Sequence, residues 1–248
     1  MKNKLAIVQN FVVTHEERLK TLHHVLPIQN KYFGEYNWYV NYNTPTFFND
    51  VYKCFSKNIK NLTFYNDLTE DYGRIIQSMI FDIKEDYIFI FPPEDTTVIN
   101  TMEYFDNLMD EFIKYDCEFM QMSRIDDIKF YGTDKKYFGN YDTKKFLHLV
   151  NSNKWTTQTV SSVSVYKKSF LNEILTYLNL NYENQVLERF PQKTPHSFEN
   201  FFQRQNGRWM NTGLHSLLDD RLFAIPKMGM LRHYEPVVDN KIIKEVYH

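Results

Sequence analysis

A strand-length apolar run from Asp86 to Asp95 (DYIFIFPPED) stops at two prolines and delivers two adjacent carboxylates, Glu94 and Asp95. Acids at the end of a buried strand place oxygen ligands at the rim of a sheet, where a hard divalent cation and a phosphorylated substrate can meet. The structural alternative is that Glu94 and Asp95 open a following helix, Thr96 to Tyr115, where acids favour the positive end of the helix dipole.

Other residues carry chemistry at a distance along the chain. Arg74, in the segment Asp67 to Gln77, offers a planar fork of donors suited to phosphate, or else pairs with Glu70 or Asp71 on a helix surface. In Pro195 to Arg204 (PHSFENFFQR), a capping-type Ser197 and a following aromatic face predict a helix start with Glu199 near it, as a reactive acid or as an ordinary N-terminal helix acid. His233 follows Gly229 in MGMLRHYE; an isolated histidine is ordinarily structural or exposed, but an imidazole ligand suits Mn²⁺ better than Mg²⁺. Arg232 beside it is a candidate phosphate contact, and Glu235 is a weaker candidate.

Several features read as structural. The pair Asp126-Asp127 is a rival to Glu94-Asp95 as cation ligands but, as a lone acidic pair, reads better as a solvated turn, and His23 and His24 are expected to point about 100° apart on a helix, so they cannot chelate one ion together. Trp155 and Trp209, each with neighbouring amides or hydroxyls, suit either stacking on a sugar ring or plain core packing.

The elements that must position these residues alternate between two hydrophobic periods, which predicts a β-α repeat and a mostly parallel central sheet flanked by helices. Strands are expected at Leu5 to Val13, Asn37 to Asn43, Asn61 to Asn66, the run ending at Glu94, and Phe119 to Ser123. Helices are expected from Thr14 to about Tyr32, Asn49 to Lys57 and Asp71 to Lys84. Beyond Arg124 the pattern loosens into a polar surface excursion up to Trp155. Order returns with a strand at Thr159 to Tyr166, helices at Lys168 to Asn179 and Ser197 to Gln205, and a short strand at Leu222 to Ile225.

Composition narrows the function classes. The 248 residues, 43% hydrophobic, suffice for one large α/β domain, expected here as a single unit over residues 1–248. A formal net charge of -2 and a pI near 6.5 give no global basic field, which argues against nucleic acid as a partner. Cys54 and Cys117 are the only cysteines, and no leader precedes the first strand, so a reducing, cytoplasmic location is expected. The Asn, Lys and Tyr-rich composition suggests a microbial or viral source, in the latter case the host cytoplasm. No apolar run approaches the roughly 20 residues that span a bilayer, although peripheral membrane contact is compatible with 17% aromatics among scattered lysines and arginines.

Over roughly Lys4 to Pro236 this order of elements and motifs resembles the GT-A fold of glycosyltransferases, which move a sugar from a nucleotide-sugar donor with a divalent metal. The resemblance implies a single Rossmann-like domain, with about residues 1–123 as the nucleotide-sugar-binding half and about 124–248 as the acceptor half and tail. Glu94 and Asp95 would occupy the place of the family's Asp-x-Asp, Asp95 first, and bind Mn²⁺ or Mg²⁺, with His233 returning from the C-terminal region as a further ligand. Val13 and Thr14 would supply backbone contacts to the base, while Asp67 and a polar residue such as Gln77 would hold base and ribose. Arg74 and Arg232 would contact phosphate, and Glu199 would be the base of an inverting reaction. The donor would be a nucleotide-diphosphate sugar, a UDP-sugar foremost, and the acceptor a glycan or lipid-linked hydroxyl. Two other readings stand beside it. One is a non-catalytic carbohydrate-binding or scaffold protein of the same fold. The other is a sugar-nucleotidyltransferase, disfavoured because Val12 to Glu17 lacks the glycines a triphosphate loop needs.

Overall fold

The computed structural model describes residues 3–68, 72–91, 93–94, 96–122, 142–152, 163–183, 204–205, 208–209, 218, 220–234, 237–238, 241–242 and 245–246. Its first part alternates strands and helices: β1 (Leu5–Phe11), α1 (Glu16–Phe33), β2 (Asn37–Tyr42), α2 (Phe48–Asn58), β3 (Leu62–Tyr65), α3 (Tyr72–Asp82) and β4 (Tyr87–Ile90). Then come β5 (Thr96–Val98), α4 (Met102–Lys114), β6 (Phe119–Gln121), β7 (Asp142–Thr143), β8 (Leu147–Asn151), β9 (Ser164–Lys167) and α5 (Lys168–Glu183). The remaining strands are short: β10 (Arg204–Gln205), β11 (Arg208–Trp209), β12 (Leu222–Pro226), β13 (Leu231–Tyr234), β14 (Val237–Val238), β15 (Lys241–Ile242) and β16 (Glu245–Val246).

Nine strands form one sheet in the order β3-β2-β1-β4-β9-β6-β12-β8-β7. Strands β2, β3 and β4 run parallel to β1, and β6 and β12 share that direction because β9 reverses against both β4 and β6. Strand β8 reverses again beside β12, and β7 turns back along it. The sheet is therefore mostly parallel, as the two alternating periods predict. Its second half interleaves with its first, since β9 inserts between β4 and β6.

Both faces are covered, which explains why the central strands are apolar without alternation. In β1, Leu5, Ile7 and Phe11 join a core with Leu22, Leu26 and Phe33 of α1, Val51 and Phe55 of α2, and Phe105, Leu108 and Phe112 of α4. Ala6 and Val8 point the other way, into a core with Ile75, Ile76 and Met79 of α3 and Phe170, Leu171 and Ile174 of α5. Each such side chain contributes about 1.5–3 kcal/mol on leaving water, and together they fix the strand ends that carry the polar residues. Phe33 anchors α1 over the sheet through edge contacts to Phe89 and Phe105, with ring centroids 5.7 Å and 5.2 Å away.

Three sequence expectations change. The helix expected over Thr96 to Tyr115 begins only at Met102, capped by the Thr101 hydroxyl, which accepts from the Tyr104 amide at 3.1 Å. The β-branched run Thr96-Thr97-Val98 forms β5 instead, and it is buried throughout. The polar excursion after Arg124 contains a sheet member: Leu147–Asn151 pairs antiparallel with β12, with Leu147 and Val150 fully buried. At the end of the helix expected over Ser197 to Gln205, Arg204 and Gln205 pair as a strand with Arg208–Trp209, and the rest of that stretch lies outside the described residues.

Candidate functional site

The parallel strands β1, β2, β3 and β4 share one C-terminal rim, the edge at which open α/β sheets bind ligands. At this rim three groups of residues are assembled: the turn after β4, the corner formed by β1 and β3, and the pairing of β5 with β13.

The turn after β4 is held from inside. Gln29 of α1, fully buried, donates its amide to the carbonyl oxygens of Pro93 at 3.0 Å and Thr96 at 2.6 Å. The two bonds bracket Glu94 and Asp95 and fix the backbone on either side of them. Glu94 is 5% exposed, and its Oε1 accepts from Arg18 Nη1 at 3.1 Å. A carboxylate so nearly excluded from water needs a charge partner, and Arg18, in the first turn of α1, provides one. Asp95 itself lies outside the described residues.

The second group is organised by Asn41 of β2, also fully buried. Its amide nitrogen donates to Asn10 Oδ1 at 2.9 Å and to the Asp67 carbonyl at 3.1 Å, while its Oδ1 accepts from the Asp67 backbone N–H at 2.8 Å. One side chain thus fastens the chain leaving β3 to the end of β1, and positions Asp67 at the rim. Val13 is buried and Thr14 exposed just beyond β1, and the Tyr42 hydroxyl lies between the carbonyls of Val13, 3.3 Å away, and Thr46. Burial pushes the Tyr42 phenol up, and the Glu94 carboxylate pushes it further. Tyr42 therefore stays neutral at the junction of the two groups.

The third group brings the late chain back. Strand β13 pairs antiparallel with β5 in the register Leu231 with Val98, Arg232 with Thr97 and His233 with Thr96. The backbone of His233 thus stands opposite the residue that follows Asp95. The approach is fixed by the preceding turn: the Ile99 N–H donates to the Met230 carbonyl at 3.1 Å, and Tyr104 Oη donates to the Met228 carbonyl at 3.0 Å. Strand β16 closes the other edge of β13, with Val246 opposite His233.

Among the other expected site residues, Arg74 is exposed on α3, and Gln77 is engaged at both amide ends with α5, donating to Thr176 Oγ1 at 3.0 Å and accepting from Asn179 at 2.5 Å. Glu199, Asp126, Asp127, Glu235 and Trp155 lie outside the described residues. His23 and His24 are exposed on α1. Among the described residues no group of three or more His, Cys, Asp or Glu side chains could hold a metal ion. A surface cleft of about 1020 Å³ lies elsewhere, beside Lys4, Lys31, Tyr36 and Asp106 near the start of β1.

Sequence reasoning missed Gln29, Asn41 and Arg18, which hold the rim in shape. The available signal was a buried-type position occupied by an amide: Gln29 falls in step with Leu22, Leu26 and Phe33 on the apolar face of α1.

No protein-family model and no characterised protein sequence matches the chain. Solved structures do. S. aureus TarS residues 1–349 in complex with UDP-GlcNAc superposes with a TM-score of 0.57 at 10% identity, covering 96% of this chain and 60% of that one. The same fragment in complex with UDP gives a TM-score of 0.56 at 10% identity, covering 92% and 59%. The chain thus spans about three fifths of the length of these two structures. The likeness extends over nearly the whole chain, and the fold is of the GT-A glycosyltransferase type. No helix among the described residues is long and apolar enough to cross a membrane.

Proposed function

We propose that this protein transfers a sugar from a nucleotide-diphosphate sugar, a UDP-sugar foremost, to a hydroxyl of a glycan or lipid-linked acceptor. The observation that carries this reading is the β5–β13 pairing, which sets the backbone of His233 across from Thr96 at the acid turn. Nucleotide-sugar complexes of the similar S. aureus structure support the choice of donor class.

The donor chemistry at the turn fits a divalent ion: a carboxylate at Asp95 and an imidazole at His233 would hold Mn²⁺ or Mg²⁺, with Glu94 beside them anchoring the turn through Arg18. When bound, such an ion neutralises charge on the departing diphosphate. The rest falls to the chain. Val13, Thr14 and Asp67 border base and ribose at the corner that Asn41 fastens. Arg74 and Arg232 face phosphate. Gln77 ties α3 to α5 and so holds the helix that carries Arg74. Glu199 takes the proton from the acceptor hydroxyl as its oxygen attacks the anomeric carbon, giving inversion. In this reading the chain is one domain, with the donor held by about residues 1–123 and the acceptor by the remainder.

The test is a screen of UDP-, GDP-, TDP- and CMP-sugars with Mn²⁺, with Mg²⁺ and with neither, read by nucleotide release. Metal-dependent release from one donor class is expected. Absence of release together with absence of thermal stabilisation by any nucleotide or metal would overturn the reading in favour of a scaffold of the same fold.

A further inference from the structure

We infer that Arg18 is a diphosphate-positioning residue of the donor site, holding Glu94 with one N–H and presenting others to the phosphates of a nucleoside diphosphate. This inference rests on the nucleotide-sugar reading above and adds to it a residue that neither the motifs nor the resemblance picks out.

Three observations carry it. Arg18 lies in the first turn of α1, just past the C-terminal end of β1, at the rim where the acid turn and the β1–β3 corner meet. Its contact with Glu94 is a single end-on bond, Nη1 to Oε1 at 3.1 Å, whereas a guanidinium has five N–H donors in a rigid fork. Its side chain is 36% exposed while that of Glu94 is 6% exposed, so the cation faces outward from the pair and the carboxylate inward.

Charge favours such a cation. Glu16 and Glu17 lie in the same turn of α1, and Glu94 is the carboxylate that Arg18 already pairs with. Beside any bound divalent ion, a diphosphate approaching these acids gains from fixed positive charge at the rim. A guanidinium that neutralises Glu94 and still has donors left can do both, because phosphate and carboxylate accept from different edges of the same fork. The ion pair also sets the fork's orientation before the ligand arrives, so less side-chain freedom is lost on binding.

The experiment compares UDP, UMP and uridine binding by calorimetry, with Mn²⁺ present, to the wild-type chain, Arg18→Gln and Arg18→Lys. If the wild-type chain binds another base in the donor screen, that nucleoside series replaces uridine. The expected result is that Arg18→Gln weakens the diphosphate by about ten-fold or more, the size of one charge-assisted hydrogen bond, and leaves the nucleoside nearly unchanged. Arg18→Lys keeps the charge without the fork and is expected to fall between the two. A merely structural Arg18 would weaken all three ligands alike, and that outcome, or an unchanged diphosphate affinity, overturns the inference alone. A wild-type chain that binds no nucleoside diphosphate overturns the donor reading and this role with it.

Discussion

Gln29 donates its side-chain amide to the Pro93 carbonyl at 3.0 Å from a fully buried position on α1, and a second bond from the same nitrogen reaches Thr96. The shape of the acid turn is therefore set by a helix that precedes it by some sixty residues. Replacing Gln29 by Leu keeps roughly the same volume and removes the donor that two carbonyls share, at a cost of about 1–3 kcal/mol. Urea unfolding is expected to show a loss in that range, and nucleotide release should fall further than stability explains, since the turn loses its fixed backbone. Unchanged stability would show that the turn holds its shape without Gln29.

Glu111 of α4 plays the corresponding part for the β7–β8 hairpin. Its carboxylate accepts from three successive backbone N–H groups, those of Lys145, Phe146 and Leu147, at 3.0, 2.9 and 3.0 Å. Glu111→Gln replaces one acceptor oxygen with a donor group that faces an N–H, and is expected to destabilise the protein by about 1–3 kcal/mol. Hydrogen exchange at those three amides should quicken selectively. Exchange unaltered at all three would remove the clamp.

His148 gives the fold a pH dependence of known sign. Burial, reinforced by the nearby Lys227 ammonium, holds its imidazole below the ordinary value of 6.5, while Thr143 Oγ1 lies 3.2 Å from its Nδ1. The unfolded chain thus binds this proton more readily than the folded one. The stability His148 contributes is complete above about pH 6.5 and is lost as pH falls through its lowered folded-state value. Urea midpoints measured from pH 7.5 down to pH 5 should therefore drop in wild type and drop less in His148→Gln. Equal slopes in the two proteins would contradict this assignment.

The two cysteines are free and buried. Burial pushes the Cys54 thiol up to about 11 against the pull of Lys57, and the Cys117 thiol up to about 12 with help from Asp116 and Glu118. Neither carries appreciable thiolate at pH 8, so iodoacetamide followed by mass spectrometry should leave both unmodified in the folded protein and alkylate both in urea. Rapid native labelling of Cys54 would indicate an opening at α2.

Much of the sheet was legible in the sequence because apolar runs such as Leu5–Phe11 and Tyr87–Ile90 have strand length and are buried on both faces. At the rim, the end of β4 was legible because the apolar run gives way to prolines and Glu94 just beyond it. The rim was not legible where one side chain acts across long sequence separations: Gln29 on Pro93, Asn41 on Asp67, Arg18 on Glu94. An amide inside an apolar helix face shows only that something buried needs a donor; which carbonyl it serves emerges when the helix packs. Likewise Thr96-Thr97-Val98 reads as the start of a helix until β13 supplies the partner strand that its β-branched residues favour, and Leu147–Asn151 looks irregular until β12 lies beside it.

The central claim, that the acid turn and the returning C-terminal strand together hold a metal-bound diphosphate, is tested most directly by Mn²⁺ electron paramagnetic resonance in the presence of UDP, or of the nucleotide the donor screen selects. Wild type is expected to bind Mn²⁺ only with the nucleotide, and Asp95→Ala and His233→Ala to lose most of that bound signal while remaining folded. Bound Mn²⁺ undiminished in both variants would contradict the claim.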